Sequence, residues 1–164
     1  MVAIKRLYYE SSIYHVISRG NNRQKIFKDK RYKEYFLDIL RRYKERYSFK
    51  IYGYVLMDNH FHIVIETIQK HNISKIMQGI LLSYSVKYRK ENEYVGYVWQ
   101  GRFKSKIIES KEYILECLEY IHNNPVKASI VEYPEQYHFS SARFYGDLSE
   151  EDTSAINICD TLVC

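Results

Sequence analysis

The sequence predicts an α+β fold, a ferredoxin-like split βαβ sandwich (β-α-β-β-α-β) with an additional C-terminal helix. Three observations carry this. Apolar residues recur at helical spacing in three stretches and fall into strand-like runs between them. Two central runs rich in β-formers are separated by two polar residues, the mark of a tight antiparallel hairpin. That hairpin is flanked on either side by one strand–helix unit. At 164 residues the chain is long enough to bury roughly two-thirds of its unfolded surface, so one domain can fold without metals or disulfides.

The elements follow in order. Ile13 to Ile17 reads as a strand and runs into a polar turn, Ser18 to Arg23. Asp29 is placed to cap a helix reaching about Tyr47, with Tyr32, Phe36, Ile39, Leu40 and Tyr43 on one face. Arg41, Arg42, Lys44 and Arg46 gather towards its end, where cations suit the helix dipole. Phe49 to Met57 and His60 to Thr67 form the hairpin about Asp58-Asn59. A second helix spans about Ile73 to Glu91 and turns Ile76, Met77, Ile80, Leu81, Tyr84 and Tyr88 inward. Val98 to Ile108 is extended. Ser110 caps a third helix that ends near Asn123, because Pro125 restricts the residue before it. The first two helices cover one sheet face and leave the other to the third. Residues 1–146 make the domain, and 147–164 read as an acidic, loosely attached tail.

Charge is distributed unevenly. Residues 1–106 carry 22 Lys/Arg against 9 Asp/Glu, a balance of +13, whereas 107–164 carry 3 against 11, a balance of −8. A basic body points to a polyanionic partner, and nucleic acid is the first candidate. The three cysteines, Cys117, Cys159 and Cys164, show no paired spacing and fit a reducing compartment. No run approaches the roughly 18 apolar residues of a membrane span. Met1 to Glu10 lacks the apolar core of a secretory signal, so the expected location is cytoplasmic, with no membrane partner.

Two stretches carry candidate chemistry. Along the second hairpin strand His60, His62, Val64 and Glu66 share one face, while Phe61, Ile63 and Ile65 share the other. Two imidazoles side by side can hold one metal ion, and an ordinary hydrogen-bonded pair is the other possibility. On the third helix Tyr113, Cys117, Tyr120 and Asn124 line one face, so Tyr120 and Asn124 present a phenol and an amide to one region of space. A phenol, with an ordinary pKa of about 10, is a poor nucleophile until a cation polarises the phosphodiester it attacks. Tyr120 is also one of 18 tyrosines, most of which must be packing residues. His15, His122 and Glu66 are candidates for secondary roles, with Glu66 expected to pair with a surface cation.

Four segments together resemble a known family: Tyr14 to Gly20, Val55 to His62, Trp99 to Phe103 and Tyr120 to Ala128. In content and order they are similar to the REP-associated tyrosine transposases, HUH endonucleases related to the small transposases of bacterial insertion sequences. The likeness covers roughly residues 10–146. It implies a ferredoxin-like domain that nicks single-stranded DNA beside imperfect hairpins. The histidine–hydrophobe–histidine motif maps onto His60, Phe61 and His62, with the histidines as ligands of Mg²⁺ or Mn²⁺. The nucleophile maps onto Tyr120, which forms a 5′-phosphotyrosine and releases a 3′-hydroxyl. Such a link conserves bond energy, so strand transfer needs no ATP. The insertion-sequence relatives complete the metal site with a glutamine where this chain has Asn124, one methylene shorter. Imidazoles suit Mn²⁺ better than Mg²⁺, and Zn²⁺ better still.

DNA contacts are expected from the basic half. Arg19, Arg23, Lys25 and Lys28 lie among small polar residues and suit phosphates. Trp99, Arg102, Phe103 and Lys104 interleave aromatic and basic groups, which suits unpaired bases; core packing explains Trp99 and Phe103 equally well. A binding module without turnover is the alternative function, and a zinc hydrolase ranks third, because no further ligand stands at a recognisable spacing. Family relatives act as monomers or as homodimers, and both states are open for this chain.

Overall fold

The structure, a computed structural model, describes residues 12–68 and 72–145. Strands β1 (Ser12–Arg19), β2 (Lys50–Leu56), β3 (His60–Thr67) and β4 (Lys104–Ile108) form one antiparallel sheet in the order β2-β3-β1-β4. Helices α1 (Lys30–Tyr47) and α2 (Ile73–Asn92) pack together on one face. Helix α3 (Lys111–His122) lies across β2 and β3 on the other, followed by the one-turn α4 (Asn124–Lys127). This is the expected ferredoxin-like fold with its added helix. The expected acidic tail, with Cys159 and Cys164, lies outside the described residues. Among the described residues no helix is long and apolar enough to cross a membrane.

Local chemistry explains why each helix begins where it does. Asp29 accepts from the Tyr32 amide at 3.3 Å, Asn72 from Lys75 at 2.8 Å and Ser110 from Tyr113 at 3.1 Å, each satisfying an amide that the helix leaves free. Between the sheet and the first two helices lies an aromatic core. Phe36 of α1 meets Phe61 of β3 at 4.8 Å and Tyr84 of α2 at 5.6 Å between ring centroids. The alternation of β3 therefore resolves as expected: Phe61, Ile63 and Ile65 face this core, which frees His60 and His62 for the opposite side.

Two expectations change. Only Lys104–Ile108 of the extended 98–108 run joins the sheet, because Gly101 takes a left-handed φ of 66° and turns the chain, while Trp99 forms an isolated bridge with Gly20. Pro125 ends α3 but starts α4, standing in a first turn where its missing amide costs nothing. The irregular segment beyond has a structural task. The Leu56 amide donates to the Phe139 carbonyl at 2.9 Å and the Tyr137 hydroxyl to the Leu56 carbonyl at 2.7 Å, which covers the outer edge of β2.

Helix α3 comes close to the sheet because residue 53 has no side chain. A Cβ at Gly53 would stand 2.2 Å from Leu118 Cδ2 and 3.2 Å from Ser141 Oγ. Gly53→Val is expected to lower stability by roughly 1–3 kcal/mol, read as a lower urea midpoint; an unchanged midpoint would mean that α3 docks more loosely. Beside Gly53, His122 is buried with its Nε2 at 2.7 Å from Ser141 Oγ. Burial lowers its pKa from 6.5 to about 4. Between those values the unfolded chain binds the extra proton, so stability falls as pH drops, by about 3 kcal/mol over the window at ~1.4 kcal/mol per unit. His62, lowered to about 3 chiefly by burial, acts in the same direction. The urea midpoint should therefore be lower at pH 5 than at pH 7, with a smaller gap in His122→Gln. A flat profile would contradict the burial argument.

Candidate active site

The antiparallel register assembles a polar strip on the α3 side of the sheet. It places Arg19 of β1 opposite His60 of β3, and Ile17 opposite His62. His15 stands opposite Val64 on one side and Lys106 of β4 on the other. His15 and His62 are thus diagonal neighbours on one face, with ring centroids 5.1 Å apart and nearly parallel. His60 and His62 stand 5.2 Å apart and nearly perpendicular. Helix α3 lays Tyr120 over this strip, 5.8 Å from His62 and 6.2 Å from His15 by ring centroids, edge-on to both. Tyr120 remains 50% exposed, so a substrate can reach its hydroxyl. One turn on, Asn124 donates from Nδ2 to the carbonyls of Tyr120 and Ile121 at 3.1 and 3.3 Å, and its side chain also reaches the His60 imidazole. The structure thus gathers His60, His62, Tyr120, Asn124 and Arg19 in one place.

Hydrogen bonds around the two imidazoles decide what they can do. Asn59 donates from Nδ2 to the Arg23 carbonyl at 3.4 Å, so its Oδ1 is the atom 2.6 Å from His60 Nδ1. In the neutral ring that nitrogen then carries the hydrogen, which leaves Nε2 as a lone pair. The Nδ1 of His62 meets Nε2 of His15 at 2.9 Å. All three histidines are held below the usual imidazole range, in each case mainly by burial. The Arg19 charge adds to this for His60 and His62, and the Lys106 charge for His15. Neutral rings are what metal coordination requires. Two imidazole nitrogens and the Asn124 amide oxygen form a donor set that a divalent cation accepts. Among the described residues no group of three His, Cys, Asp or Glu side chains is gathered for a metal; a cation held here would take its remaining ligands from water and substrate oxygens.

The other expected site residues divide into three groups. Lys104 pairs with Ile17 across the sheet, exposed on the Tyr120 side. Arg23 is exposed beside Asn59 at the hairpin tip. Lys25 instead pairs with Asp58 at 3.5 Å, Lys28 donates to Asn92 at 2.5 Å, and Arg102 lines a groove of about 740 Å³ beside α2, on the far side of the sheet. Trp99 and Phe103, expected to meet unpaired bases, are 8% and 6% exposed and pack into the aromatic core, with their remaining surface lining the same groove as Arg102. The exposed aromatic of that loop is Tyr97, at 78%.

The secondary candidates also find places. Glu66 accepts from the Tyr52 hydroxyl and pairs with Lys50 at 3.9 Å, as expected for a surface ion pair. The Tyr113 hydroxyl accepts at 2.5 Å from Lys106, the β4 residue opposite His15, while burial pushes the Cys117 thiol up to about 11. Two residues at the site were not among the candidates. Asn59 read only as a turn residue, and its bond to the next residue's ring needs the hairpin geometry. Lys127 places Nζ 4.8 Å from the Tyr120 ring centroid, at i+7 from it across the α3–α4 break. Extending the helical face past Pro125 would have found it.

The sequence model of the family described as "Transposase IS200 like" matches residues 8–124. The fold is similar to a structure titled as a REP-associated tyrosine transposase bound to a REP hairpin, with TM-score 0.73 and 19% identity, over 94% of this chain and 96% of that one. A putative transposase from Deinococcus radiodurans is also similar, with TM-score 0.51 and 16% identity, over 74% of this chain and 97% of that one. No curated relative matches the chain.

Proposed function

Because the chain belongs to the IS200-like transposase family, we propose that it nicks and transfers single-stranded DNA through a covalent bond between Tyr120 and a 5′ phosphate. The observation that carries this is the half-exposed Tyr120 phenol standing edge-on to His62, with the Lys127 ammonium above its ring. In the reaction Tyr120 Oη attacks phosphorus, the bond from phosphorus to the 3′ oxygen breaks, and the phenolic proton passes to water. The departing 3′ oxygen takes a proton from water. One phosphodiester is exchanged for another, so the 3′-hydroxyl of a second strand reverses the step without ATP.

Arg19 and Lys127 supply fixed positive charge at the scissile phosphate, while Arg23 and Lys104 hold phosphates on either side of it. The divalent cation expected at His60, His62 and Asn124, Mg²⁺ or Mn²⁺, would withdraw charge from the non-bridging phosphate oxygens. None of these three side chains is anionic. A bound DNA phosphate therefore completes the charge balance, and the nitrogen-rich donor set favours Mn²⁺ over Mg²⁺. The substrate is single-stranded DNA carrying a hairpin, and a REP hairpin is the ligand named for the similar REP-associated structure.

The test mixes purified protein with labelled single-stranded hairpins and their flanking sequence, with Mg²⁺ or Mn²⁺ added. A protein–DNA adduct that survives denaturation is expected. Tight binding without an adduct on any hairpin from the source genome's repeats would replace this function with that of a binding module.

A further inference from the structure

The two proposed ligand histidines are each tied through the same ring atom, but by different partners. His60 presents Nδ1 to Asn59 Oδ1 at 2.6 Å, and His62 presents Nδ1 to His15 Nε2 at 2.9 Å. A ring whose Nδ1–H is engaged in this way offers Nε2 as its only lone pair. For His60 the proton position follows from the Asn59 amide, which is oriented by its second bond to the Arg23 carbonyl. His62 has no such amide. Its partner is another imidazole, which can serve as donor or acceptor according to its own tautomer.

We propose that His15 is a positioning residue: as the hydrogen-bond acceptor for His62 Nδ1–H, it fixes the tautomer and ring direction that aim His62 Nε2 at the substrate side. Three features support the assignment. The β1–β3 register makes His15 the diagonal neighbour of His62 on the same sheet face, so the contact follows from strand pairing and needs no mobile loop. The Tyr120 ring closes against both imidazoles, at 6.2 and 5.8 Å, which restricts each from turning. The alternative proton placement, with His15 donating to His62 Nδ1, would leave His62 with its hydrogen on Nε2 and take away the lone pair that the proposed metal site requires of it. A hydrogen-bonded partner behind a ligand histidine is the device by which proteins orient such ligands, and its removal typically costs 10–100-fold in metal affinity.

This proposal rests on the metal site assigned above, and two measurements separate the two. The first needs no metal: long-range ¹H–¹⁵N NMR of the uniformly labelled protein reports which His62 nitrogen carries the hydrogen. The expected result is Nδ1–H in the parent chain and a shift to Nε2–H in His15→Phe, which fills the same space without accepting a bond. His15→Gln, whose amide oxygen can accept, should restore Nδ1–H. The second is Mn²⁺ binding followed by electron paramagnetic resonance, in the presence of a non-cleavable hairpin. A loss of roughly 10–100-fold in affinity is expected for His15→Phe, with recovery in His15→Gln. Urea unfolding of each variant separates this from loss of fold. Finding His62 as Nε2–H in the parent protein overturns the proposal, as does unchanged Mn²⁺ affinity in His15→Phe. If the parent chain binds no Mn²⁺, the metal assignment fails, and the NMR result alone decides the role of His15.

Discussion

Tyr120→Phe is expected to abolish the covalent DNA adduct while leaving the fold and hairpin binding intact. The ring of Tyr120 makes the contacts seen in the structure, edge-on to His15 and His62 and beneath Lys127, and phenylalanine keeps all of them. Only the hydroxyl is lost, and the residue is half exposed, so the urea midpoint should hardly move. Removing a nucleophile removes the covalent pathway itself, with a loss of roughly 10⁴-fold or more in adduct formation. The adduct is counted on a denaturing gel and binding by a mobility shift at fixed salt. Undiminished adduct would move the nucleophile elsewhere. Tyr113 would then be tested next, two turns back on the same helical face with its hydroxyl bonded to Lys106. His60→Ala and His62→Ala should lower adduct formation without moving the site of linkage.

Much of this arrangement was legible in the chain because it depends on short-range rules. Strand alternation alone separates His60 and His62 from Phe61 and Ile63, and helical spacing alone puts Tyr120 one turn from Asn124. Caps at Asp29 and Ser110 fix helix starts within one residue of where propensity places them. What was not legible depends on register and depth. His15 is 47 residues from His62, and only the pairing of β1 with β3 brings them together. The charge split maps onto the structure only coarsely. Arg19 and Lys104 of the basic segment do border the site, yet Lys25 and Lys28 are engaged with Asp58 and Asn92. Lys127, from the acidic segment, lies over the Tyr120 ring. Aromatic residues interleaved with basic ones look alike in sequence whether they stack on bases or on each other. Burial decides between the two, and composition does not encode it.

Trp99 shows this in energetic terms. Its ring sits among Tyr84, Phe61, Phe27 and Phe36, with centroids 5.6 to 6.3 Å away, and its Nε1 donates to the Leu81 carbonyl at 3.1 Å. Trp99→Ala removes these contacts, leaves a cavity and strips the Leu81 carbonyl of a partner, at a cost of about 3–5 kcal/mol. That is a large fraction of the roughly 5–15 kcal/mol that holds an ordinary domain together, so the urea midpoint should fall steeply. A base-stacking Trp99 would give the opposite pattern, a loss of DNA affinity at constant stability. The surrounding backbone connects this core to the site. The Asn21 amide donates to the Val98 carbonyl at 2.9 Å and the Gln100 amide to the Arg19 carbonyl at 2.8 Å, so the Trp99 loop anchors the end of β1 from which Arg19 projects. Trp99→Phe keeps most of the ring volume but loses the hydrogen bond, and should fall between the parent and Trp99→Ala. In both variants DNA binding and adduct formation should decline in step with the folded fraction, because Trp99 acts on the chemistry only by holding Arg19 and the sheet end in place.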